Sequence, residues 1–313
     1  MQRVLSTTAL LGLLIATAAA FAITERLKLV KSPVFGTLVS KRLSPTCGCA
    51  HDKATISFRL RHSEKLTLTI RDRSGRSVDT LVAGTYVRHG RLTYVWDGKD
   101  DFGVRAPDGI YKPEVHLSRD HRTILLPNPI ALDTKPPVVK DVKVSRAVFS
   151  PDGDKRGDVV VLHYRFDSPA RVLVYLGSER ILFGRSHQES GHVVLGAAAL
   201  GGALPAGTYL LWVGGQDLAG NVTPPAKRQP VILQVRYISL PGSPVVVHKG
   251  GSLFTVPVDT DAKRYWWKLA GKHGVASGPV LKLTAPKTPG TYRLSVGERT
   301  YTAHVQVAVG RAK

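Results

Sequence analysis

Residues 55–60 read Thr-Ile-Ser-Phe-Arg-Leu and residues 66–70 read Leu-Thr-Leu-Thr-Ile, so apolar and polar side chains alternate in both stretches. A period of two predicts β-strands that turn one face to a core and the other to water. The pattern recurs with the same spacing at residues 162–166 and 172–176. The sequence therefore predicts a repeated pair of half-buried strands, which a turn at residues 167–170 joins in the second copy.

A Gly-x-Tyr sequence closes each repeat, at residues 109–111, 207–209 and 290–292. We expect the glycine to take a positive φ and the tyrosine to bury its ring while its hydroxyl reaches the backbone. Proline-rich stretches at residues 133–137 and 224–230 are typical of linkers. Together these signals predict an all-β chain of three tandem immunoglobulin-like β-sandwiches, preceded by an N-terminal apolar helix.

The same signals set the expected domain limits. Residues 1–24 are a signal peptide or membrane anchor helix and residues 25–42 a basic stalk. The three sandwiches are expected at residues 43–135, 136–230 and 231–313.

The N-terminus predicts export. Residues 5–23 carry no charge, and such an apolar run is typical of a signal peptide or of a single membrane-spanning helix. Its length favours an uncleaved anchor, whereas the basic residues Arg26, Lys28 and Lys31 after it oppose export of the chain beyond an anchor. Either interpretation places the rest of the chain outside the cytoplasm, as membrane-anchored extracytoplasmic domains or as a secreted protein.

One part of the sequence resembles a known family. An alternating strand with a Gly-Arg turn at residues 66–82, the hairpin Val-Trp-Asp-Gly at residues 95–98 and Pro-Asp-Gly-Ile-Tyr at residues 107–111 occur in order. This series resembles the immunoglobulin-like domain of the flagellar hook-capping protein FlgD, over residues 43–135. The resemblance implies an immunoglobulin-like fold and a binding or spacer role in an exported bacterial protein, and it carries over no catalytic residues.

The second repeat opens with an acidic loop that contains Asp152, Asp154 and Asp158. Three carboxylates with nearby carbonyl oxygens are the ligands that calcium prefers. The alternative is a turn made by Asp and Gly, in which Lys155 and Arg156 offset the charge and oppose a divalent ion. We expect no cofactor, with calcium in this loop as the alternative.

The only two cysteines, Cys47 and Cys49, occupy the aligned loop of the first repeat. Disulfides persist outside the cytoplasm, so we expect a local Cys47–Cys49 bridge. The alternatives are a bridge to another chain, two free thiols, or a soft-metal site with His51 that lacks an evident fourth ligand.

Aromatic and basic residues lie together near the C-terminus. Adjacent strand residues face opposite ways, so one of Trp266 and Trp267 should be core and the other exposed. The exposed ring, beside Lys263, Arg264 and Lys268, is a candidate for contact with a sugar or a protein partner.

The charge indicates the kind of partner. The chain has 44 Lys and Arg against 23 Asp and Glu, a net charge of +21, and residues 231–313 alone carry 12 basic and 3 acidic residues. Such a surface attracts polyanions. We expect the partner to be a protein or an anionic cell-wall polymer, and we expect the N-terminal helix to contact the membrane. The same positive charge would attract nucleic acid, but an exported protein would not meet it.

No catalytic motif is present: the sequence lacks G-x-S-x-G, H-E-x-x-H and a phosphate-binding glycine loop. We therefore expect a non-catalytic cell-envelope protein that acts as a spacer or adhesive module. The alternative is an accessory carbohydrate-binding or wall-modifying protein that uses Trp266 or Trp267.

Overall fold

The computed structural model describes residues 11–22, 31–202 and 204–310, and residues 11–22 form helix α1. Within these ranges no helix is long and apolar enough to cross a membrane. The remainder of the predicted leader lies outside the described residues. The rest of the described chain is built of strands, which confirms the all-β prediction.

The described strands follow one another with only two short 3₁₀ helices among them, Ala197–Leu200 and Pro225–Lys227. Their bounds are β1 (Val34–Val39), β2 (Arg42–Leu43), β3 (Ala54–Leu60), β4 (Glu64–Arg71), β5 (Ser77–Val87), β6 (Gly90–Trp96), β7 (Gly109–Leu117), β8 (Arg122–Leu125), β9 (Ile130–Leu132), β10 (Val139–Val144), β11 (Val148–Phe149), β12 (Val159–Leu176), β13 (Glu179–Phe183), β14 (Gln188–Gly196), β15 (Gly207–Asp217), β16 (Gln229–Val235), β17 (Val245–Val247), β18 (Leu253–Pro257), β19 (Tyr265–Leu269), β20 (Lys272–Ala276), β21 (Val280–Thr284), β22 (Gly290–Glu298) and β23 (Tyr301–Val309).

The first sandwich consists of a sheet β1-β3-β6 and a sheet β2-β9-β7-β4-β5, with β8 paired to β7. The alternation in β3 and β4 places Ile56, Phe58, Leu66 and Leu68 in a fully buried core. The predicted stalk at residues 25–42 is wrong from β1 onward, because β1 pairs with β3 and β2 pairs with β9.

The Trp-Asp-Gly hairpin is part of this core. Trp96 is fully buried, its indole Nε1 donates to the Lys99 carbonyl at 2.7 Å, and its ring lies 4.9 Å from that of Tyr111. A Cβ at Gly98 would come within 2.7 Å of the Pro45 side chain, and Gly98 has φ +81°. The glycine is thus required by both backbone conformation and packing.

The second sandwich repeats this arrangement with one continuous strand. Residues 159–166 of β12 lie between β10 and β14, and residues 170–176 lie between β13 and β15. The predicted turn at residues 167–170 is therefore wrong, because β12 runs through it from one layer to the other. The strand β16 pairs with β15, so this sandwich extends to Val235, beyond the expected limit at residue 230.

The third sandwich has the sheets β17-β23-β22-β19-β20 and β18-β21. Its order matches β2-β9-β7-β4-β5 and β3-β6 of the first, including the parallel pairing of the first two strands. Each sandwich has its own cluster of buried residues. One strand arrangement is thus built three times.

A tyrosine closes each sandwich at the same place. The hydroxyls of Tyr111, Tyr209 and Tyr292 donate to the carbonyls of Pro107, Pro205 and Thr288, at 2.5, 2.9 and 2.9 Å. Each tyrosine thereby ties the start of its strand to the preceding turn.

The expected positive φ of the corner glycine is found only at Gly290, with φ +153°. The expectation is wrong for Gly109 and Gly207: both are described, and neither has a positive φ. The hydroxyl contact, rather than glycine backbone strain, is what the three corners share.

The chain divides into two compact units, Met1–Thr134 and Lys135–Lys313. The predicted linker at residues 133–137 lies at this division. The linker at residues 224–230 does not divide units, because the second and third sandwiches belong to one. The division into three separate domains stays a prediction.

Replacing Tyr111 by Phe removes the corner hydrogen bond while keeping the ring against Trp96. A net hydrogen bond contributes about 1 kcal/mol, and we expect the free energy of unfolding of the first unit to fall by about that amount. Guanidinium denaturation of the full chain measures it. The control is Tyr86→Phe, whose side chain is 69% exposed; equal losses in both variants would contradict the structural role of the corner.

Candidate functional site

The acidic loop of the second sandwich is closed by Asp158. Its carboxylate accepts the backbone N–H groups of Gly153 at 2.7 Å and Lys155 at 2.6 Å. Asp152 accepts the N–H of Asp154 at 3.1 Å and lies 3.2 Å from the Ser150 hydroxyl. Asp158 therefore holds the turn, as the structural alternative predicted for this loop.

Asp152 and Asp154 face a third carboxylate that no sequence pattern indicated. Glu298, at the end of β22 in the third sandwich, lies with them so that one carboxylate oxygen from each falls within 4.8 Å of the others. Glu298 is 7% exposed, and its carboxylate accepts the Thr260 hydroxyl at 3.5 Å. The second and third sandwiches thus bring three carboxylates together at their junction.

Burial and mutual repulsion shift these carboxyl groups. Burial, followed by the charges of Asp152, Asp154 and Asp261, raises the pKa of Glu298 to about 7. Burial is also the main cause that raises the pKa of Asp152 and of Asp261. The cluster therefore carries less negative charge at neutral pH than its composition suggests.

The oxygens that could hold a metal ion are those of Asp152, Asp154 and Glu298. Carboxylates at this spacing suit a hard cation such as calcium. Asp158, which was expected as a ligand, is not part of this group of carboxylates. The calcium site stays a prediction, with Glu298 in the place of Asp158.

Other contacts fix the junction beside this cluster. The Arg156 guanidinium donates to the Asp261 carbonyl at 2.9 Å, and the rings of Tyr237 and Tyr301 stack at 3.8 Å. The Tyr237 hydroxyl also donates to the Leu204 carbonyl at 2.6 Å. Polar and aromatic contacts therefore link the two sandwiches of this unit.

A groove of about 670 Å³ opens next to the carboxylates, which we call the junction groove. One side is formed by the acidic loop and the other by β19, β20 and the β22–β23 hairpin. Its lining combines an indole, five cations and two of the carboxylates: Trp266, Lys155, Arg156, Lys263, Arg264, Arg299, Asp154 and Glu298.

The Trp266 indole lies flat on the neighbouring strand. Trp266 pairs with Gly297, and a Cβ at Gly297 would come within 2.2 Å of the indole ring. Gly297 therefore leaves the space that the ring occupies. The side chain is 38% exposed and presents an aromatic surface to the groove.

The predicted partner-binding residues do not all lie together in the structure. Lys263, Arg264 and Trp266 meet in the junction groove, whereas Trp267 faces the opposite side of β19 and is half-buried against the core. Lys268 is exposed on the face of Trp266 but does not line that groove. The two rings face opposite ways, as expected for adjacent strand residues, and the ring on the core side, Trp267, is only partly buried.

Four groove residues were missed: Lys155 and Arg156 were interpreted only as charge compensation, and Glu298 and Arg299 were not considered. They come from the second sandwich and from the β22–β23 hairpin. No local spacing connects them to residues 263–268. Only the packing of two sandwiches brings them together.

In the first sandwich, Cys47 and Cys49 are joined by a disulfide, with their Cα atoms 5.2 Å apart. The bridge lies in the loop between β2 and β3, the counterpart of the acidic loop between β11 and β12. Their sulfurs bond each other, so they are not available as thiolate ligands with His51.

Comparison with known families identifies the first sandwich. Residues 44–120 match the FlgD Ig-like domain model. The basal-body rod modification proteins FlgD of Salmonella typhimurium and Salmonella typhi are each 41% identical to this chain over 56 residues. This match covers 18% of the chain and 24% of either relative. The chain thus contains a FlgD-like immunoglobulin-like domain, which confirms the resemblance.

Several solved structures are also similar. An I-band fragment of titin is 12% identical, with a TM-score of 0.33, over 91% of this chain and all of that one. FlgD from P. aeruginosa is 22% identical, with a TM-score of 0.24, over 44% of this chain and 89% of that one. A Bacteroides ovatus glucan-utilization protein, SGBP-B in complex with a mixed-linkage heptasaccharide, is 14% identical, with a TM-score of 0.24, over 88% of this chain and 67% of that one.

The raised pKa of Glu298 predicts how stability depends on pH in the presence of a chelator. Between the ordinary pKa of 4.5 and the folded value of about 7, the folded state binds more protons than the unfolded state. The contribution of Glu298 to the free energy of unfolding should therefore rise as the pH falls through 7 and level off below 4.5. Calorimetry of Glu298→Gln should show a weaker rise than the wild type, while Glu179→Gln, an exposed control, keeps it. An unchanged profile in Glu298→Gln would contradict the assignment.

Calcium should stabilise the same unit. A cation that binds only the folded cluster raises the unfolding temperature, and the rise continues with the logarithm of its concentration above the Kd. We expect Asp154→Asn to lose this calcium response and exposed Asp120→Asn to keep it, with magnesium at equal concentration as the ionic-strength control. A wild-type unfolding temperature that does not move with calcium would reject the site.

Proposed function

We propose that the protein is a non-catalytic module of the bacterial cell envelope, located outside the cytoplasm, whose third sandwich contacts an anionic wall polymer or a protein partner. The single observation that carries this proposal is the junction groove. Five cationic side chains surround one exposed indole there. Such a groove offers contact area and positive charge for an anionic partner.

The proposed mechanism is electrostatic attraction followed by local contact. The third sandwich draws an anionic polymer to its surface, and the guanidinium groups of Arg264 and Arg299 are suited to carboxylate or phosphate. Trp266 adds apolar contact that salt does not screen. Because exposed charges are screened within about 8 Å at physiological ionic strength, binding should weaken with added salt.

The other parts of the chain fit a spacer. The apolar N-terminus would hold the protein at the membrane or direct its export, and the FlgD-like domain would separate the membrane from the binding surface. Contact between the second and third sandwiches, through Arg156 and the Tyr237–Tyr301 stack, would present the groove in a fixed shape.

The second candidate function is that of an accessory carbohydrate-binding or wall-modifying protein. The observation that favours it is the exposed Trp266 indole, which offers a flat surface to a sugar ring. This candidate predicts that a neutral polysaccharide binds as well as an anionic one and that Trp266 matters more than the surrounding charges.

Sedimentation of the full chain with purified envelope polymer tests the proposal. Reversing two groove charges, Lys263→Glu with Arg264→Glu, should weaken binding about tenfold or more, because each charged contact contributes about 1.5 to 3 kcal/mol. The matched control, Lys53→Glu with Lys140→Glu, makes the same net change at exposed sites elsewhere. Equal loss in both variants would indicate unspecific attraction and contradict the proposal. Loss in Trp266→Ala alone would favour the second candidate.

A further inference from the structure

A second groove lies in the third sandwich, at the open end between its two sheets. Its volume is about 630 Å³, within the range of about 300 to 1,000 Å³ that is typical of small-molecule sites. Buried Leu269 and Leu283 contribute to its lining. We call it the mouth groove; its aromatic and basic lining residues are Trp267, Tyr292, Lys272, Lys282 and Lys287.

Two aromatic rings in the mouth groove are held in place. Trp267 pairs with Gly274 on β20, and a Cβ at Gly274 would lie 2.9 Å from the indole Nε1, so only glycine gives the ring this position. The Tyr292 hydroxyl is fixed by its hydrogen bond to the Thr288 carbonyl. Both rings pack partly against the core, so the groove offers ordered apolar surface before any ligand arrives.

The charge of the mouth groove has one sign. Lys272, Lys282 and Lys287 are exposed along its edge, and its lining contains neither Asp nor Glu. The junction groove, in contrast, includes Asp154 and Glu298. Of the two, the mouth groove has the better electrostatic complementarity to an anion.

The combination of side chains selects a class of ligand. A pyranose ring carries an apolar face of C–H groups that packs on an aromatic ring, and a carboxylate or phosphate on that ring can pair with lysine ammonium groups. A neutral sugar would leave the lysines without a partner, and a simple anion would leave the rings uncovered. Neither alone matches the lining.

We propose that the mouth groove binds a saccharide unit that bears a carboxylate or phosphate, with its ring against Trp267 or Tyr292 and its anionic group at Lys272, Lys282 and Lys287. The proposal rests on the proposed function, since it names the chemical class of the anionic polymer and places one of its units. Both grooves include residues of the third sandwich, so the chain can hold a polymer at two points, and attachment is then stronger than at either groove alone.

Isothermal titration of the full chain tests the site with defined probes. The probes are a galacturonate pentamer, a sugar phosphate, a neutral galactose pentamer and inorganic polyphosphate. We expect the galacturonate pentamer or the sugar phosphate to bind, and the arm that binds identifies the anionic group. Lys282→Gln with Lys287→Gln should weaken that binding about tenfold or more. Lys53→Gln with Lys140→Gln should leave it unchanged.

The contribution of the aromatic rings to saccharide binding is measured separately. In ¹⁵N spectra, the indole N–H signal of Trp267 should shift with the acidic saccharide and stay in place with polyphosphate. Gly274→Ala, which displaces the indole without changing charge, should weaken binding of the saccharide but not of polyphosphate. If polyphosphate binds as tightly as the saccharide and loses the same factor in the lysine variant, the groove recognises charge alone and the proposal is overturned.

Failure of this site is distinguishable from failure of the proposed function. Binding of envelope polymer that depends on Lys263 and Arg264 but not on Lys282 and Lys287 would overturn the mouth-groove site and leave the proposed function standing. Saccharide binding at the mouth groove without any binding of envelope polymer would support the site and contradict the function.

Discussion

A tyrosine hydroxyl that donates to a backbone carbonyl four residues earlier recurs in all three sandwiches, and it constrains the same corner in each. In the first sandwich, Tyr111 donates to the Pro107 carbonyl and packs against the buried Trp96 ring. In each sandwich the tyrosine lies at the start of a central strand of the larger sheet. One neighbour of this strand pairs with a short parallel strand, and the other neighbour leads towards the opposite edge of the sheet. With the frame held in this way, the loops are free to differ: the same loop carries a disulfide in the first sandwich and an acidic turn in the second.

Local pattern was enough to predict this frame. The alternation in β3, β4 and β12 gives the strands directly, and the Gly-x-Tyr sequences mark the corners. The ends of the sandwiches were harder to predict. The strands β1, β2 and β16 are short or follow prolines, and only pairing with distant partners assigns them to a sandwich. The expected turn inside β12 failed for a similar reason, since a strand can bend between layers without ending.

The candidate sites were predictable only in part. Trp266, Lys263 and Arg264 are neighbours in sequence, so their clustering could be anticipated. Glu298 approaches Asp152 only because two sandwiches pack together, and sequence spacing contains no trace of that contact. Within one unit, polar and aromatic contacts link the second and third sandwiches. One groove with an aromatic and basic lining lies at this junction and another lies in the third sandwich.

The central claim is that three separate cores support a binding surface in the third sandwich. Hydrogen exchange of the full chain, with and without an acidic envelope polymer, tests this claim most directly, because it reports on both the cores and the surface. We expect three sets of slowly exchanging strands, with faster exchange near residues 133–137. With the polymer present, we expect added protection only in β19–β22 and the β22–β23 hairpin. Protection concentrated in the FlgD-like domain at residues 44–120, with none in the third sandwich, would contradict that claim.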